Sequence, residues 1–218
     1  MNSGDSYDIN FCFPVRDLEN ERLKLTPFIV SIFQRLRSFS RHLISRIQPS
    51  QGCVLFAIYD KTKASETGNP DGSLAGVIGL SDTSIAHLRA EVAFVMISPL
   101  FQRTHVATNA VGLLLHYALD LPSEGGLGLR RMTWKANPLN AASIKVAERM
   151  GFVKEGNLRW DWVLPDGKDS GGNGRDRRMG DPRPDALGRD TVVLGLCWDE
   201  WEDFARVRVD EAMARPAA

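Results

Sequence analysis

The stretch from Glu91 to Gly156 decides the fold of this chain, and its main parts read EVAFVMISP (91–99), FQRTH (101–105), VATNAVGLLLHYALD (106–120), GLRRMTWKAN (128–137) and PLNAASIKVAERMGF (138–152). These parts predict an apolar strand, a turn, an amphipathic helix, a second strand and a capped helix. A strand that leads directly into a helix presents unpaired backbone N–H groups and the positive end of the helix dipole. The order therefore predicts a cradle for a phosphate-bearing cofactor.

The flanking sequence predicts the rest of an α+β sheet. The β-branched and apolar patterns predict strands at 17–26, 53–60, 74–84, 86–97, 156–165 and 191–199. Helical spacing recurs over 28–47, with an interruption near 38–40, and a closing helix is predicted at 200–215. Antiparallel strands followed by a strand-helix-strand unit predict a mixed, mostly antiparallel sheet with one crossover.

Length and composition limit the classes of protein. The chain has 218 residues, of which 43% are hydrophobic, and this favours one domain over 1–218 with a long Gly-, Arg- and Asp-rich loop at 165–190. Lysine plus arginine and aspartate plus glutamate are balanced at 27 each, which argues against nucleic acid as a partner. The three cysteines lack metal-ligand or disulfide spacing, and no apolar run reaches the length of a membrane span. We expect a cytoplasmic protein with no metal and no membrane partner.

Two motifs point to a family. The first is the run Gln102–Ala107, followed by Thr108, and the second is Asn140 with Ser143 on a helix that ends in Gly151 and Phe152. Together they resemble the signatures of the Gcn5-related N-acetyltransferase (GNAT) superfamily, and within it the branch that acetylates ribosomal and other protein N-termini.

His105 departs from that resemblance, because it occupies the place where the family usually has its first loop glycine. Two interpretations are open. His105 is either a helix-start residue with ordinary dihedrals, which steric grounds favour, or a residue whose imidazole donates to a phosphate. The main-chain amides of the turn remain available in both cases.

The resemblance implies the GNAT fold, with helices on both faces of a sheet that splays between two central strands at 91–97 and 130–136. Acetyl-CoA would lie in the split, with its pantetheine arm along the first of these strands and its diphosphate on the loop. The implied cofactor contacts are Val95, Met96, Ile97, Gln102, Arg103, Thr104, His105, Val106, Ala107, Thr108, Asn140 and Ser143. The alternative for Asn140 is a helix cap alone.

Transfer of an acetyl group from a thioester to an amine requires a group that removes the amine's proton and a donor for the departing thiolate. Glu91 is the first candidate base, because strand alternation places it on one face with Ala93, Val95 and Ile97. His87 shares that parity and is the second candidate, whereas Glu148 is expected on a solvated helix face. No tyrosine follows Asn140, so Ser143 is the expected hydrogen-bond donor to the thiolate.

The acceptor pocket is expected beside the last strands. The candidate substrate contacts are Trp134, Arg159, Trp160 and Trp162, although ordinary burial favours a core role for each tryptophan. The long loop is a candidate lid over them. We therefore expect an N-acetyltransferase that acts on a small-molecule amine or a peptide or protein N-terminus, as a monomer or homodimer. The alternative is a non-catalytic acyl-CoA-binding or regulatory protein of the same fold.

Overall fold

The computed structural model describes residues 9–28, 47, 49–65 and 68–216. Eight strands in these ranges form one sheet in the order β1-β2-β3-β4-β5-β6-β8-β7. The strands are β1 Leu18–Glu19, β2 Leu23–Pro27, β3 Val54–Asp60, β4 Ser73–Ser84, β5 Arg89–Ile97, β6 Arg131–Ala136, β7 Val153–Val163 and β8 Gly188–Cys197. The helices that position the site are α1 Val106–Leu119, α2 Ala141–Arg149 and α3 Arg206–Ala214. The predicted α+β class is confirmed. That residues 1–218 form one domain stays a prediction.

The first predicted strand, at 17–26, is wrong in one respect, because it is two short strands joined by a turn. The Asn20 side chain accepts hydrogen bonds from the N–H groups of Arg22 and Leu23, at 2.9 and 2.8 Å. An asparagine that bonds the backbone two residues ahead closes a turn, and β1 then pairs antiparallel with β2. The helices predicted over 28–47 fall on residues 29–46, which lie outside the described residues.

The predicted splay between the two central strands is confirmed. β5 and β6 form the parallel pair of the sheet, and their register runs from Arg89 opposite Arg131 to Val92 opposite Trp134. Beyond Val92, β5 continues beside β4 alone, although both β5 and β6 extend further. The chain therefore opens a gap in the middle of its sheet.

A bulge in β5 overturns part of the face assignment for Glu91. Phe94 has a left-handed backbone with φ of 57°, and the register with β4 shifts between Ala93 and Met96. Glu91 and Ala93 share one face, as expected, but the extra residue turns Val95 and Ile97 to the other face, where they pack on the main core. The expectation that Glu91 shares a face with Val95 and Ile97 is therefore wrong.

Helix α1 is buried on nearly all sides, because it lies between the sheet and α3. The close approach of α3 depends on Gly112: a Cβ added there would lie 2.2 Å from the Sδ atom of Met213 and 3.2 Å from a methyl carbon of Val209. The predicted closing helix at 200–215 is present, but it includes a π-helical turn at Trp201–Ala205 before α3.

A cluster of polar side chains fastens α3 to α1. His116 contacts two carboxylates at 2.8 Å, Asp120 through Nδ1 and Asp210 through Nε2, and Trp201 donates its indole N–H to Asp120 at 2.9 Å. Burial lowers the pKa of His116, but the hydrogen bonds and charges of the two aspartates outweigh burial and raise that pKa above its ordinary value. Protonated His116 therefore stabilises the contact between the two helices.

Candidate active site

A cleft of about 710 Å³ lies where β5 and β6 separate. Its β5 side consists of residues 91–96, and its β6 side includes Trp134 and Lys135. Because adjacent residues on a strand point to opposite faces, the gap exposes side chains from both faces of the sheet to one space. The predicted residues Glu91, Val95, Met96, Trp134, Ser143 and Trp162 all line this cleft.

Glu91 points into the cleft and forms an ion pair with Lys135, whose Nζ lies 2.8 Å from Oε2 of Glu91. The side chain of Glu91 is only 15% exposed. It is therefore not the freely solvated strand-end charge that was its alternative interpretation. His87, the second candidate base, precedes β5 on an exposed turn and is absent from the residues that line the cleft.

Ser143 links α2 to the floor of the cleft. Trp134 donates its indole N–H to Oγ of Ser143 at 2.9 Å, and Trp134 is buried with its ring against Phe152. Oγ thus receives one hydrogen bond and keeps its own proton for donation. Asn140 accepts a hydrogen bond from the Ser143 N–H at 3.1 Å, so the predicted cap at the start of α2 is present.

The loop before α1 and the first turn of α1 carry unpaired amides of the kind that a phosphate cradle requires. Within the described residues, no acceptor receives the main-chain N–H groups of Arg103, Thr104, His105, Ala107 and Thr108. The Thr104 hydroxyl accepts the N–H of Val106 at 3.3 Å, so it satisfies one amide at the start of α1. Several amides therefore remain free at the positive end of a 14-residue helix.

Two side chains of this loop, those of Gln102 and His105, contact the protein itself, whereas the main-chain amides are free. Gln102 is exposed and donates from Nε2 to the carbonyl oxygen of Ile97 at 3.0 Å, which ties the loop to the end of β5. Arg103 carries the left-handed backbone of the loop, with φ of 61°. His105, which stands where the family usually has glycine, does not need a left-handed backbone.

His105 has φ of −65° and ψ of −17°, so the favoured interpretation of ordinary dihedrals is confirmed. Its ring lies against the end of β3, with Nε2 3.4 Å from Oδ1 of Asp60. Both side chains are almost fully buried, at 7% and 1% exposure. The ring therefore faces a buried carboxylate, and only the main chain of His105 remains for a phosphate.

The residues predicted to contact the acceptor substrate lie in two different places. Trp162 lines the cleft, whereas Trp160 and Arg159 line a different, open hollow on the edge strand β7. The ring of Trp160 lies in the space that a side chain at Gly188 would need, and its backbone is left-handed with φ of 55°. The structure thus brings Trp162, but not Arg159 and Trp160, to the cleft.

Sequence reasoning missed three polar residues of β6 and β8 that line the cleft: Lys135, Arg189 and Thr191. Lys135 was missed because its place beside Glu91 depends on the pairing of Glu91 with Thr133, two residues before Lys135, and neither strand encodes that register. Arg189 was missed because the last strand was predicted to begin at Thr191, whereas β8 begins at Gly188.

The long loop between β7 and β8 contains no helix or strand. Asn137 donates to the carbonyl oxygen of Gly171 at 2.8 Å, and Asn173 donates to Oδ1 of Asp190 at 3.0 Å. Hydrogen bonds from the Trp160 N–H and from Asn173 hold the pKa of Asp190 below its ordinary range. These contacts tie the loop beside the cleft, and no residue of 164–187 lines it.

The fold is that of the GNAT class, and the chain belongs to that family: the model of the acetyltransferase (GNAT) domain matches residues 19–153. The predicted superfamily is thereby confirmed. Members of this family use acetyl-CoA as the acetyl donor. The predicted N-terminal acetyltransferase branch is not confirmed.

Spermidine N(1)-acetyltransferase of Escherichia coli K12 is 27% identical over 107 residues, which are 49% of this chain and 54% of that protein. The chain thus spans about half the length of the curated relatives that it matches. Among solved structures, a GCN5-related N-acetyltransferase from Brucella melitensis has a TM-score of 0.62 and 22% identity, covering 90% of this chain and 85% of the other. A spermidine/spermine N-acetyltransferase from Vibrio cholerae has a TM-score of 0.56 and 16% identity, covering 84% and 96%. These structures support the fold.

No helix in the ranges that the structure describes is long and apolar enough to cross a membrane. In the same ranges, no group of three or more His, Cys, Asp and Glu side chains is arranged to hold a metal ion.

Proposed function

We propose that this protein is an acetyl-CoA-dependent N-acetyltransferase in which a primary amine attacks the thioester directly. The observation that carries the proposal is the gap between β5 and β6. Pairing stops at Val92 and Trp134, and the cleft that follows contains a carboxylate from one strand and a hydroxyl from α2. Such a gap accommodates an extended thioester arm beside a strand with a free edge.

The unpaired amides of residues 103–108 would hold the diphosphate of acetyl-CoA, because they converge at the start of α1. The unpaired edge of β5 beyond Val92 would hold the pantetheine arm by main-chain hydrogen bonds at Val95, Met96 and Ile97. The bound donor supplies an activated acetyl group. A β5 amide near the bulge would stabilise negative charge that develops on the carbonyl oxygen.

Glu91 is proposed as the group that receives the proton of the acceptor amine, directly or through a water molecule. Its carboxylate is paired with the Lys135 ammonium at 2.8 Å. A cationic acceptor amine would compete with Lys135 for the same carboxylate, because both present an ammonium group. Glu91 would thus first bind the acceptor as a cation and then take its proton.

Ser143 is proposed as the donor to the departing thiolate. Its oxygen already accepts from Trp134, so the hydroxyl proton is directed away from the indole. A thiol with a pKa of about 8.5 leaves as a thiolate with modest assistance, so a hydrogen bond suffices where a tyrosine is missing.

The acceptor is proposed to be the primary amine of a small molecule or of a peptide or protein N-terminus. The curated relatives acetylate spermidine, which supports a small-molecule amine. We further propose that the protein acts in the cytoplasm as a monomer or homodimer. Nucleic acid and membranes are not among its proposed partners.

The test combines acetyl-CoA, an amine panel and a thiol-reactive dye, with the acetylated product identified by mass spectrometry. We expect thiol release that depends on the added amine. Binding of acetyl-CoA without such release would instead establish the alternative, a non-catalytic acyl-CoA-binding protein.

The phosphate cradle has its own test in Ala107, the second residue of α1. In Ala107→Asp, the new carboxylate suits the helix N-terminus but repels a diphosphate, so the helix should remain folded while coenzyme A binding weakens. We expect at least a tenfold rise in Kd by calorimetry, equivalent to about 1.4 kcal/mol. Ala107→Asn is the neutral control of matched size. Equal Kd values for the two variants would place the diphosphate elsewhere.

A further inference from the structure

Two polar side chains of β8 extend the cleft away from Glu91. Arg189 and Thr191 are two residues apart, so they share one face of the strand and lie about 7 Å apart along it. Both line the cleft. On the neighbouring strand, Arg189 is opposite Trp162 and Thr191 is opposite Leu158, and these two residues line the cleft as well.

Both side chains have buried polar atoms that lack partners. Nε of Arg189 and Oγ1 of Thr191 make no hydrogen bond within the part of the chain that the structure describes. A buried donor without a partner costs about 1 to 3 kcal/mol. The cost falls on two neighbouring groups that face the same cleft, which is the arrangement expected of groups that bind a ligand.

Arg189 also differs from other arginines near it. Arg131 forms a two-pronged pair with Glu155, and Arg175 lies 3.6 Å from Asp190, whereas Arg189 forms no ion pair with any described residue. The guanidinium of Arg189 lies over the Trp162 ring, with its central carbon 6.0 Å from the ring centroid. Stacking on an aromatic ring orients a guanidinium and leaves its N–H groups free for an anion.

The charges that face Arg189 across the cleft come from three other strands. Glu91 of β5 and Asp161 of β7 are acidic, and Lys135 of β6 is basic and paired with Glu91. The cleft therefore carries two charges of each sign. A polycation such as a polyamine gains from the two carboxylates but is repelled by Arg189, and an acceptor with both an ammonium and a carboxylate satisfies both signs.

We propose that the acceptor is an amine that also carries a carboxylate, an amino acid or a short peptide. Arg189 and Thr191 bind the carboxylate, and Glu91 faces the amine. A guanidinium matches a carboxylate with two parallel N–H···O bonds, and the Thr191 hydroxyl supplies a further donor. This inference rests on the proposed function, and it names the substrate class of the same site.

The experiment uses linear ω-amino acids of increasing length, each with its ω-amino carboxamide and with the diamine of equal length. Rates are measured by thiol release with saturating acetyl-CoA. At the optimal length, kcat/KM for the carboxylate should exceed that of both matched compounds at least tenfold. That optimum would measure the span from the amine to the carboxylate.

Single variants test whether Arg189 and Thr191 cause the preference for a carboxylate-bearing acceptor. Arg189→Gln should lower kcat/KM for the carboxylate at least tenfold and leave the carboxamide unchanged. Thr191→Val should produce a smaller loss of the same kind. Arg159→Gln, which alters an exposed arginine outside the cleft, is the matched control and should keep the preference. An unchanged Kd for coenzyme A in each variant shows that the fold is intact.

The possible failures are distinct. Amine-dependent thiol release with equal rates for carboxylate and carboxamide, or faster acetylation of the diamine, would overturn the inference and leave the proposed function standing. A loss in Arg189→Gln that is equal for all acceptors would also overturn it. No amine-dependent release with any compound would overturn both.

Discussion

Replacing Ser143 by alanine tests the centre of the proposed mechanism. The hydroxyl of Ser143 has two partners in this scheme: it accepts the indole N–H of Trp134 at 2.9 Å, and it is proposed to donate to the thiolate. Trp134 is 2% exposed, so its N–H is shielded from bulk solvent while Ser143 is in place. Ser143→Ala should therefore affect stability and catalysis by separate routes.

The stability effect follows from the orphaned indole N–H. A buried donor left without an acceptor costs about 1 to 3 kcal/mol. We expect about 1 to 2 kcal/mol, the lower half of that range, because Ser143 lines the cleft and water can reach its place. For a chain of this size, 1 kcal/mol corresponds to a fall in Tm of about 2 to 4 °C. Denaturant unfolding and calorimetry both measure it.

A double-mutant cycle isolates the hydrogen bond from other effects. Trp134→Phe removes the donor and adds its own cost from lost packing. When both substitutions are combined, no donor is orphaned, so the double variant should be more stable than the sum of the two single losses predicts by about 1 kcal/mol. Strictly additive losses would show that the bond between Trp134 and Ser143 does not form in solution.

The catalytic effect is read separately. A hydrogen bond to a charged group contributes about 1.5 to 3 kcal/mol, so Ser143→Ala should lower kcat about ten- to a hundredfold. The Kd for coenzyme A should hardly change. Trp134→Phe keeps the hydroxyl and should retain most of kcat. The reasoning is refuted if Ser143→Ala loses stability as expected but keeps the full kcat with a good acceptor.

Three further predictions concern the base, the helix packing and pH. Glu91→Gln should lower kcat/KM most at neutral pH and recover as the pH rises and the amine deprotonates by itself; an unchanged pH profile would exclude Glu91 as the base. Gly112→Leu should destabilise the protein by about 1 to 3 kcal/mol because the side chain must displace Met213, whereas Gly156→Leu, where a Cβ meets nothing within 4 Å, should stay within about 0.5 kcal/mol. The raised pKa of His116 means that its stabilising contribution is complete below the unfolded value near 6.5 and is lost as the pH rises through the folded value. The free energy of unfolding should thus fall between pH 5.5 and pH 8.5 by more in the native protein than in His116→Gln, and parallel pH dependences would contradict this assignment.

Much of the fold was predictable because its signals are local. Asn140 caps α2 through the N–H three residues ahead, and Gly151 ends that helix with φ of 94°, a conformation that glycine adopts without strain. The error in the first strand was local too. Asn20 is a turn former, and its side chain divides a run that alternation alone interprets as one strand.

The site was only partly predictable, because its polar residues meet through tertiary contacts. The pairing of Glu91 with Lys135 depends on which strands become neighbours, and the register that places them together is not written in either strand. The contact of His105 with Asp60 joins residues 45 positions apart in sequence. Short motifs predicted a turn before the helix at Val106, and the structure contains that turn, but the motifs did not predict where the histidine ring points.

The bulge at Phe94 explains how one strand can carry two kinds of functional group. Before the bulge, Glu91 and Ala93 face the cleft away from the main core, and after it Val95 and Ile97 pack into that core. A regular strand would point every second residue to the same side, so Glu91 would share its face with the apolar side chains of Val95 and Ile97. A left-handed non-glycine residue costs about 1 to 3 kcal/mol and persists where the surrounding structure demands it. Here that cost separates the Glu91 carboxylate from the apolar side chains that anchor the strand to the core.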